Sequence, residues 1–458
     1  MKNMFLSLTA LAALSVLVIG FACGGGSSSD SGDNAPMMWT WMSGGDIINQ
    51  PGEYHFLFSV PGARSNSISW VDSTGDLWLF GGYGYDESGN EGDLNDLWQF
   101  DGTYWAWMLG GHAANQPGYY GTMGSPDEAN TPGARSNSIS WNDNVGDLWL
   151  FGGSGYGSGG YGYLNDLWQF DGTYWTWMSG SDVENQPGYY GTMGSPGAAN
   201  VPGARNSSVS WIDNAGDLWL FGGFGYGYDE SDGIGLLNDL WRFDGTYWTW
   251  MSGSDSRNQL GYYGTMGSPG ATNVPGARYG SNSWTDSAGD LWLFGGRGFI
   301  GSGFAGFLND LWRFDGTYWT WMSGSDAIDQ LGYYGTMGSP GASNVPDSRF
   351  RSVSWTDSAD NLWLFGGNGP DGSGGGGYLN TLWRFDGTYW TWMSGSDALD
   401  QPGYYGTMGS PGASNVPGAR ENSISWTDSA GDLWLFGGNG FDESGNEGKL
   451  NDLWRFGR

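Results

Sequence analysis

Short runs that combine hydrophobic and small polar residues recur along the chain. Residues 67–71 alternate serine with isoleucine and tryptophan, and residues 77–80 form an apolar run that ends at two glycines. Residues 97–100 and 105–108 are two further runs of the same unit. Aromatic and β-branched residues between clusters of Asp, Gly, Ser and Asn are typical of strands and turns. Each unit therefore predicts four antiparallel strands, and no window beyond the N-terminal segment has a sustained helical period.

The unit is repeated six times. Its marker arginines, spaced 71, 70, 73, 71 and 71 residues apart, are Arg64, Arg135, Arg205, Arg278, Arg349 and Arg420. A double glycine ends the second strand of every unit, from Gly81-Gly82 to Gly437-Gly438. Six units of four strands predict an all-β, six-bladed propeller, in which radial packing leaves only short, protected strand edges.

The tryptophans predict how this ring closes. Units one to five have five tryptophans each, whereas the last has three, and the missing two are Trp39 and Trp41. Residues 39–42 copy the fourth-strand sequence, so we expect them to complete the last blade and cover its edge. The predicted propeller therefore spans residues 37–458.

The N-terminal segment has the features of an export signal. Lys2 precedes an apolar run that is too short for a comfortable membrane span, and small residues lead to Cys23. Residues 20–23, Gly-Phe-Ala-Cys, resemble a bacterial lipoprotein processing box, although leucine is usual where Gly20 stands. We expect a signal peptide over 1–22, an acylated Cys23, a Gly/Ser/Asp tether over 23–36 and a lipid anchor at the outer membrane or cell surface. The alternative is an ordinary secretory peptide with an incidental cysteine.

The repeat resembles the kelch family. The matching features are the arginine before strand one, LWLFGG at strand two, LNDLW at strand three and the strand-four tryptophan, and they extend over about residues 37–458. The period departs from the family, because kelch repeats have about 50 residues and these have about 71. The additional residues lie between strand four of one blade and strand one of the next.

Charge narrows the range of partners. The chain has 16 Lys and Arg against 48 Asp and Glu, for a net charge of −32. Nucleic acids and anionic lipid headgroups need cationic surface, so they are poor partners. Cations, neutral sugars and basic proteins remain. We expect a monomer that contacts the membrane only through its anchor, with no disulfide, because Cys23 is the single cysteine.

Two sets of long loops should emerge on one face of the propeller, which we call the crown face: those between strands two and three, and those between blades. Five of the blade-to-blade loops share GYYGTMGSP, with the tyrosine pairs Tyr119-Tyr120, Tyr189-Tyr190, Tyr262-Tyr263, Tyr333-Tyr334 and Tyr404-Tyr405. Such tyrosines can stack on sugar rings or anchor a protein. The alternative is that they pack on one another and hold long loops in place. The loop that enters blade one, residues 51–60, breaks the series.

The six marker arginines are further candidates. They begin the innermost strands, where a ring of guanidinium groups could bind a carboxylate or sulfate. The alternative is that each arginine pairs with a repeated acid such as Asp76 or Asp96. The acid-rich segments 85–96 and 441–452 could offer oxygens to calcium, but their order does not match a calcium loop, and we predict no cofactor.

Catalysis has little support in the sequence. Galactose oxidase also resembles kelch propellers, but its copper site needs a cysteine-modified tyrosine and histidines. The mature chain would have no cysteine left for that modification and only two histidines, His55 and His112, which excludes a copper oxidase. Sialic acid mutarotases resemble kelch propellers and need only a few polar groups. Singular residues in this chain are few and fall at scattered positions of the repeat: His55, His112, Arg257, Arg297, Arg351, Glu421 and Lys449. We expect a non-catalytic binding or scaffold protein for a carbohydrate or protein; the alternatives are a mutarotase-like enzyme and a purely structural module.

Overall fold

The computed structural model describes residues 36–55, 59–228, 233–301, 303, 305–370 and 375–457. The expected signal peptide, Cys23 and nearly all of the tether lie outside these residues. Residues 37–458 cluster as one compact unit. Within the described ranges, no helix has the length and apolarity needed to cross a membrane.

Six antiparallel sheets form a ring, which confirms the predicted six-bladed all-β propeller. The innermost strand is broken in two in most blades. Its crown-side pieces are Arg64–Ser65, Arg135–Ser136, Arg205–Asn206, Arg278–Tyr279 and Arg420–Glu421. The longer pieces are Ile68–Val71, Ile139–Asn142, Val209–Ile212, Asn282–Thr285, Val353–Thr356 and Ile424–Thr427.

The remaining strands of each sheet follow in chain order. The second strands are Leu77–Tyr85, Leu148–Tyr156, Leu218–Tyr226, Leu291–Phe299 and Leu433–Phe441, with Leu362–Phe365 and Asn368–Pro370 in blade five. The third strands are Glu91–Phe100, Tyr161–Phe170, Ile234–Phe243, Ala305–Phe314 and Glu447–Gly457, with Gly376–Tyr378 and Leu382–Phe385 in blade five. The outer strands are Trp105–Leu109, Trp175–Ser179, Trp248–Ser252, Trp319–Ser323, Trp390–Ser394 and, for blade six, Met38–Ser43.

The N-terminal strand closes the ring as predicted. Met38–Ser43 pairs antiparallel with the last strand, with Trp39 opposite Phe456 and Trp41 opposite Trp454. Trp39 is 2% exposed, and its ring lies 5.4 Å from that of Phe365 in blade five. Blade six is therefore built from both ends of the chain.

The double glycine is required by a close approach between strands. Gly82 has a φ of 99°, and a Cβ at this position would lie 2.2 Å from Ser67 Oγ on the innermost strand. No other residue can combine this backbone conformation with this contact. The glycines thus allow the second strand to continue past the break in the first.

That break also joins the blades to one another. At each break one residue has a φ between 52° and 63°, and its N–H donates to the carbonyl oxygen of its counterpart in the preceding blade at 2.7 to 3.0 Å. The bonds form a closed ring of six around the central channel through Asn66, Asn137, Ser207, Gly280, Arg351 and Asn422. Tryptophans pack between the blades outside this ring, and the largest fully buried side chains are all tryptophan.

The long blade-to-blade loops protect the outer strands. Gly124 N donates to Trp177 O at 2.8 Å, and Asp127 forms a bridge with Trp175 on the outer strand of blade two. Equivalent contacts occur at the outer strands of the other blades. Exposed strand edges pair readily with other chains, and these loops cover the edges of the outer strands.

Candidate functional site

The six marker arginines lie inside the blades rather than on the channel surface. Five form ion pairs at 2.7 to 2.8 Å with an aspartate on the third strand of the same blade, and both partners are at most 1% exposed. The pairs are Arg64–Asp96, Arg135–Asp166, Arg205–Asp239, Arg278–Asp310 and Arg420–Asp452. The arginines therefore pair with a repeated acid, the alternative to ligand binding given above. The acid is Asp96 or its equivalent in another blade, and not Asp76.

The two tyrosines of each loop have different positions. The second tyrosine is buried and donates its hydroxyl to the same aspartate, as Tyr120 does to Asp166 at 2.7 Å. Burial, and then the Asp166 charge, raise the pKa of Tyr120 well above its usual value. Tyr190, Tyr263 and Tyr405 repeat this contact. In the loop that breaks the series, Tyr54 takes the same place and donates to Asp96.

The first tyrosine of each loop faces solvent. Its backbone pairs with a residue of the same loop, and its side chain is 51% to 60% exposed. These residues are Tyr119, Tyr189, Tyr262, Tyr333 and Tyr404. They lie on the loops that cover the outer strands and are separate from the buried ion pairs.

Blade five builds its ion pair differently. Thr381 stands where the other blades have the third-strand aspartate, and Asp347 replaces a glycine two residues before Arg349. Asp347 lies 3.3 Å from Arg349 and accepts the hydroxyl of Tyr334. Burial lowers the pKa of Arg349, and Asp347 only partly opposes it; in the other five blades the aspartate prevails and the arginine pKa is raised. In blade two the third-strand aspartate accepts a hydrogen bond from Trp168 Nε1. Blade five lacks this aspartate, and the equivalent Trp383 Nε1 has no hydrogen-bond partner.

Beside these repeated ion pairs lies a row of three paired residues, one on each of the first three strands, whose residue types differ in all six blades. Three residues lie side by side on the first, second and third strands, as Ser65, Tyr83 and Asp93 do in blade one. The triplets of the other blades are Ser136-Ser154-Tyr163, Asn206-Phe224-Leu236, Tyr279-Arg297-Phe307, Phe350-Asn368-Tyr378 and Glu421-Asn439-Lys449. The register immediately beside it, Arg64-Gly84-Gly92 in blade one, has the residue types Arg, Gly and Gly in every blade.

The variable triplets meet around the crown end of the channel, which we call the crown mouth. Blades two to five form an aromatic arc there, with ring centroids 5.5 to 6.4 Å apart from one blade to the next. Its members are Tyr163, Phe224, Tyr279, Phe350 and Phe307. Arg297 lies over Phe307 at 5.7 Å.

Charged residues occupy the other side of the crown mouth. Arg351 lies 4.9 Å from the Phe350 ring and forms an ion pair with Glu421 at 3.3 Å. Burial raises the pKa of Glu421 against the lowering effect of Arg351. Burial also lowers the pKa of Lys449, which lies over the Tyr83 ring at 5.3 Å. These contacts connect blades five, six and one.

Two carboxylates at the crown mouth are incompletely satisfied. Asp93 and Glu421 are 3% and 8% exposed, and Asp93 Oδ1 and Glu421 Oε2 have no hydrogen-bond partner. Burial raises the pKa of Asp93 to about 6, although Ser136 and Arg135 lower it. Buried unpaired oxygens are costly, and carboxyl groups with strongly perturbed pKa values are found more often at functional sites than elsewhere.

The acid-rich segments have an internal structural role. Asp86 Oδ1 accepts the N–H groups of Ser88 and Asn90, and Oδ2 accepts those of the Asn90 amide and Ala114. Burial opposes these bonds, yet they lower the pKa of Asp86. Asp442 caps the corresponding turn in blade six. Among the described residues, no group of three or more His, Cys, Asp or Glu could hold a metal ion.

The residues that occur in only one copy of the repeat were interpreted as scattered, but the fold brings four of them to the crown mouth. Arg351, Glu421 and Lys449 share the charged side of the crown mouth, and Arg297 joins its aromatic arc. His112 instead stacks on Tyr54 in the loop of blade one. Arg257 donates to a backbone carbonyl of blade three, and His55 is exposed. Two positions of the repeat carried a signal that sequence reasoning missed: the variable residue after each double glycine, and the variable residue before each LND or LNT. They lie side by side only because the second and third strands pair in this register.

Comparison with known proteins gives little further identification. No family model matches the chain, and no curated protein matches it. Among solved structures 296 chains match. One is the structure of YjhT, which is 15% identical over 86% of this chain and 95% of its own, with a TM-score of 0.48. The fold assignment therefore comes from the six sheets of the chain itself.

Proposed function

We propose that this protein is a binding protein, built from kelch-type repeats, that recognises a carbohydrate at the crown mouth. One observation carries the proposal. Six blades keep the same residue types in the Arg-Gly-Gly register, and all differ in the adjacent triplet that surrounds the crown mouth. The buried ion pairs and close approaches between strands explain the constant register, and the proposal assigns the varied side chains beside it to ligand recognition.

The side chains of the crown mouth suit a sugar. The Tyr279 ring, which is partly exposed and packs on Phe350, can stack on the apolar face of a pyranose ring. Arg351, Asn66 and Asn137 line the opening at the crown end of the channel and add polar groups that can bind hydroxyl groups in fixed directions. In this proposal the buried arginines and second tyrosines hold the blades beneath the mouth. The exposed tyrosines, such as Tyr189, contact the outer parts of a longer glycan.

A glycan array with the purified protein tests the proposal directly. We expect selective binding that falls at least tenfold in Tyr279→Ala and Arg351→Ala. Tyr104→Ala is the matched control: Tyr104 is 69% exposed in a turn at the opposite end of the blade, and its loss should leave binding unchanged. A pull-down from envelope extract is run beside the array. Capture of a protein without binding to any glycan on the array would contradict the carbohydrate assignment. Equal losses in all three variants would contradict the site.

A sugar-acting enzyme is the second candidate, and the raised pKa values of Asp93 and Glu421 favour it. A buried carboxyl group whose pKa is raised, to about 6 for Asp93, can serve as a general acid or base. Incubating bound sugars with the protein and following both anomers by NMR separates the two functions. Faster interconversion that is lost in Asp93→Asn would establish catalysis, whereas binding without turnover supports a recognition protein.

The proposed location follows from the N-terminal segment. Cleavage before Cys23 and acylation of its thiol would hold the propeller at the outer membrane or cell surface through the tether. Incorporation of labelled palmitate into the expressed protein tests this, and Cys23→Ser should abolish the label. A labelled Cys23→Ser variant, or an unlabelled wild-type protein, would contradict lipidation.

A further inference from the structure

The outer strand of blade one, Trp105–Leu109, is covered less than its equivalents. In blades two to six, the loop that enters the blade donates a glycine N–H to the carbonyl oxygen of the second outer-strand tryptophan, at 2.7 to 2.8 Å. These bonds join Gly124 to Trp177, Gly194 to Trp250, Gly267 to Trp321, Gly338 to Trp392 and Gly409 to Trp41. In blade one the described part of this covering loop forms a bridge from Ser59 to Trp105, and none of its N–H groups donates to Trp107 O.

The difference follows from the covering loop of blade one. Residues 51–64 take the place that residues 117–135 have in blade two, so the loop is five residues shorter. In the other blades an asparagine side chain also donates to the first outer-strand tryptophan, as Asn130 does to Trp175 O at 2.9 Å. The short loop has neither this asparagine nor the GTMG segment. It therefore lacks both groups that bond to the outer strands elsewhere in the ring.

The side chains of this strand are exposed in keeping with the reduced cover. Ala106 is exposed, whereas the threonine at this position of every other blade is at most 8% exposed. Met108 is 40% exposed, whereas the corresponding methionines of the other blades pack against the core clusters. Leu109 is 37% exposed and stands where the other blades have serine. Blade one thus presents an apolar surface beside the carbonyl oxygen of Trp107.

We propose that blade one binds an extended segment of a partner protein, which pairs with Trp105–Leu109 as an added β-strand. Main-chain groups of the segment bond to Trp107, and its apolar side chains contact Met108 and Leu109. The other five blades give a precedent within the chain itself, because an extended loop there bonds to the equivalent carbonyl oxygen. A strand edge beside apolar side chains is a ready template for such pairing.

The charge of the protein favours one kind of segment. With a net charge of −32, two copies of the chain repel each other. The GYYGTMGSP loops of a second copy are also already bonded to their own outer strands. A segment that carries Lys or Arg among apolar residues is instead attracted by the charge. The occupant is therefore a basic and apolar strand of another protein.

Selection from a random peptide library displayed on phage tests the proposal on the purified protein. We expect enriched peptides that carry Lys or Arg among apolar residues. Leu109→Ser introduces the residue that the other blades have at this position, so the fold should be kept. It should weaken binding of an enriched peptide about tenfold, because an apolar contact is lost. Leu331→Ser is the matched control: Leu331 is 56% exposed on the covering loop of blade five, and its loss should leave binding unchanged.

A loop graft tests whether the peptide occupies the strand edge. Replacing residues 51–63 by residues 117–134 gives blade one the longer covering loop and should abolish binding, because the strand is then covered within the same molecule. Methylating every second main-chain nitrogen of the peptide should also abolish binding in one of the two possible frames, since an added strand needs these donors. Failure to enrich any peptide, or equal binding by the wild type and the graft, would overturn the proposal.

Sedimentation of the protein alone tests the choice of partner. We expect a monomer for the wild type and for the graft. A wild-type dimer that the graft dissociates would assign the strand edge to a second copy and overturn the proposed partner. Glycan binding at the crown mouth is measured separately, so either result can fail without the other.

Discussion

In blade five the carboxylate that pairs with the buried arginine can be moved from residue 347 to residue 381, its place in the other blades. The change Asp347→Gly restores the glycine of the other blades but leaves Arg349, which is fully buried, without a carboxylate. Removing one partner of a buried pair costs about 3 to 5 kcal/mol. Loss of the acceptor for Tyr334 adds about 1 kcal/mol. We therefore expect the free energy of unfolding to fall by about 4 to 6 kcal/mol.

The second change tests the reason for that loss. Thr381→Asp in the Asp347→Gly background rebuilds the arrangement seen at Asp166, where Nη1 and Nη2 of Arg135 each donate to one carboxylate oxygen at 2.7 Å. The new carboxylate can also accept a hydrogen bond from Trp383 Nε1, as Asp166 does from Trp168 Nε1. The double variant should return to within about 1 kcal/mol of the wild type, the net worth of a hydrogen bond.

Urea unfolding followed by tryptophan fluorescence measures the free energy of unfolding of the wild type and of the single and double variants. Asp360→Gly is the control: Asp360 lies in an exposed turn of the same blade with a φ of 61°, where glycine relieves strain. A loss below 1 kcal/mol for Asp347→Gly, or no recovery in the double variant, would refute the role assigned to the ion pair.

Three further predictions concern other parts of the ring. Deletion of residues 37–43 exposes the edge of blade six and should cause aggregation or a large fall in the melting temperature; an unchanged transition would disprove the closure. Asp93 binds its proton more tightly in the folded state, so its stabilising effect is complete below about pH 4 and is lost as the pH rises through about 6. Asp93→Asn should therefore be more stable than wild type at pH 8, by at most about 3 kcal/mol, and not at pH 4; a constant difference in urea unfolding would count against this. Tyr120→Phe should cost about 1 to 2 kcal/mol of unfolding free energy by removing one bond to Asp166, with Tyr119→Phe as the neutral control.

The fold was predictable because its signals are repeated. The six arginines and the tryptophan count determined the number of blades, and the deficit of two tryptophans identified residues 39–42 as the closing strand. The sequence could not decide between a ligand and an acid as the partner of each arginine. That choice depends on which residues lie opposite one another across strands, and Asp96 is 32 residues from Arg64.

The crown mouth was less predictable for the same reason. Ser65, Tyr83 and Asp93 are adjacent only through strand register, and contacts between blades are about 70 residues apart in the chain, as for Arg351 and Glu421. In the sequence these residues look like drift in a glycine-rich loop. The repeat itself drew attention to its constant residues, whereas the variable ones surround the candidate site.

The shared sheet of blade six has a consequence for how the protein is made. Each of the first five sheets can assemble from one continuous segment of the chain. The sixth must wait until strand Glu447–Gly457 meets Met38–Ser43, some 400 residues upstream. Contacts between such distant segments form late and slowly. Folding should therefore pass through an open five-sheet arc whose strand edges stay exposed until these two strands pair.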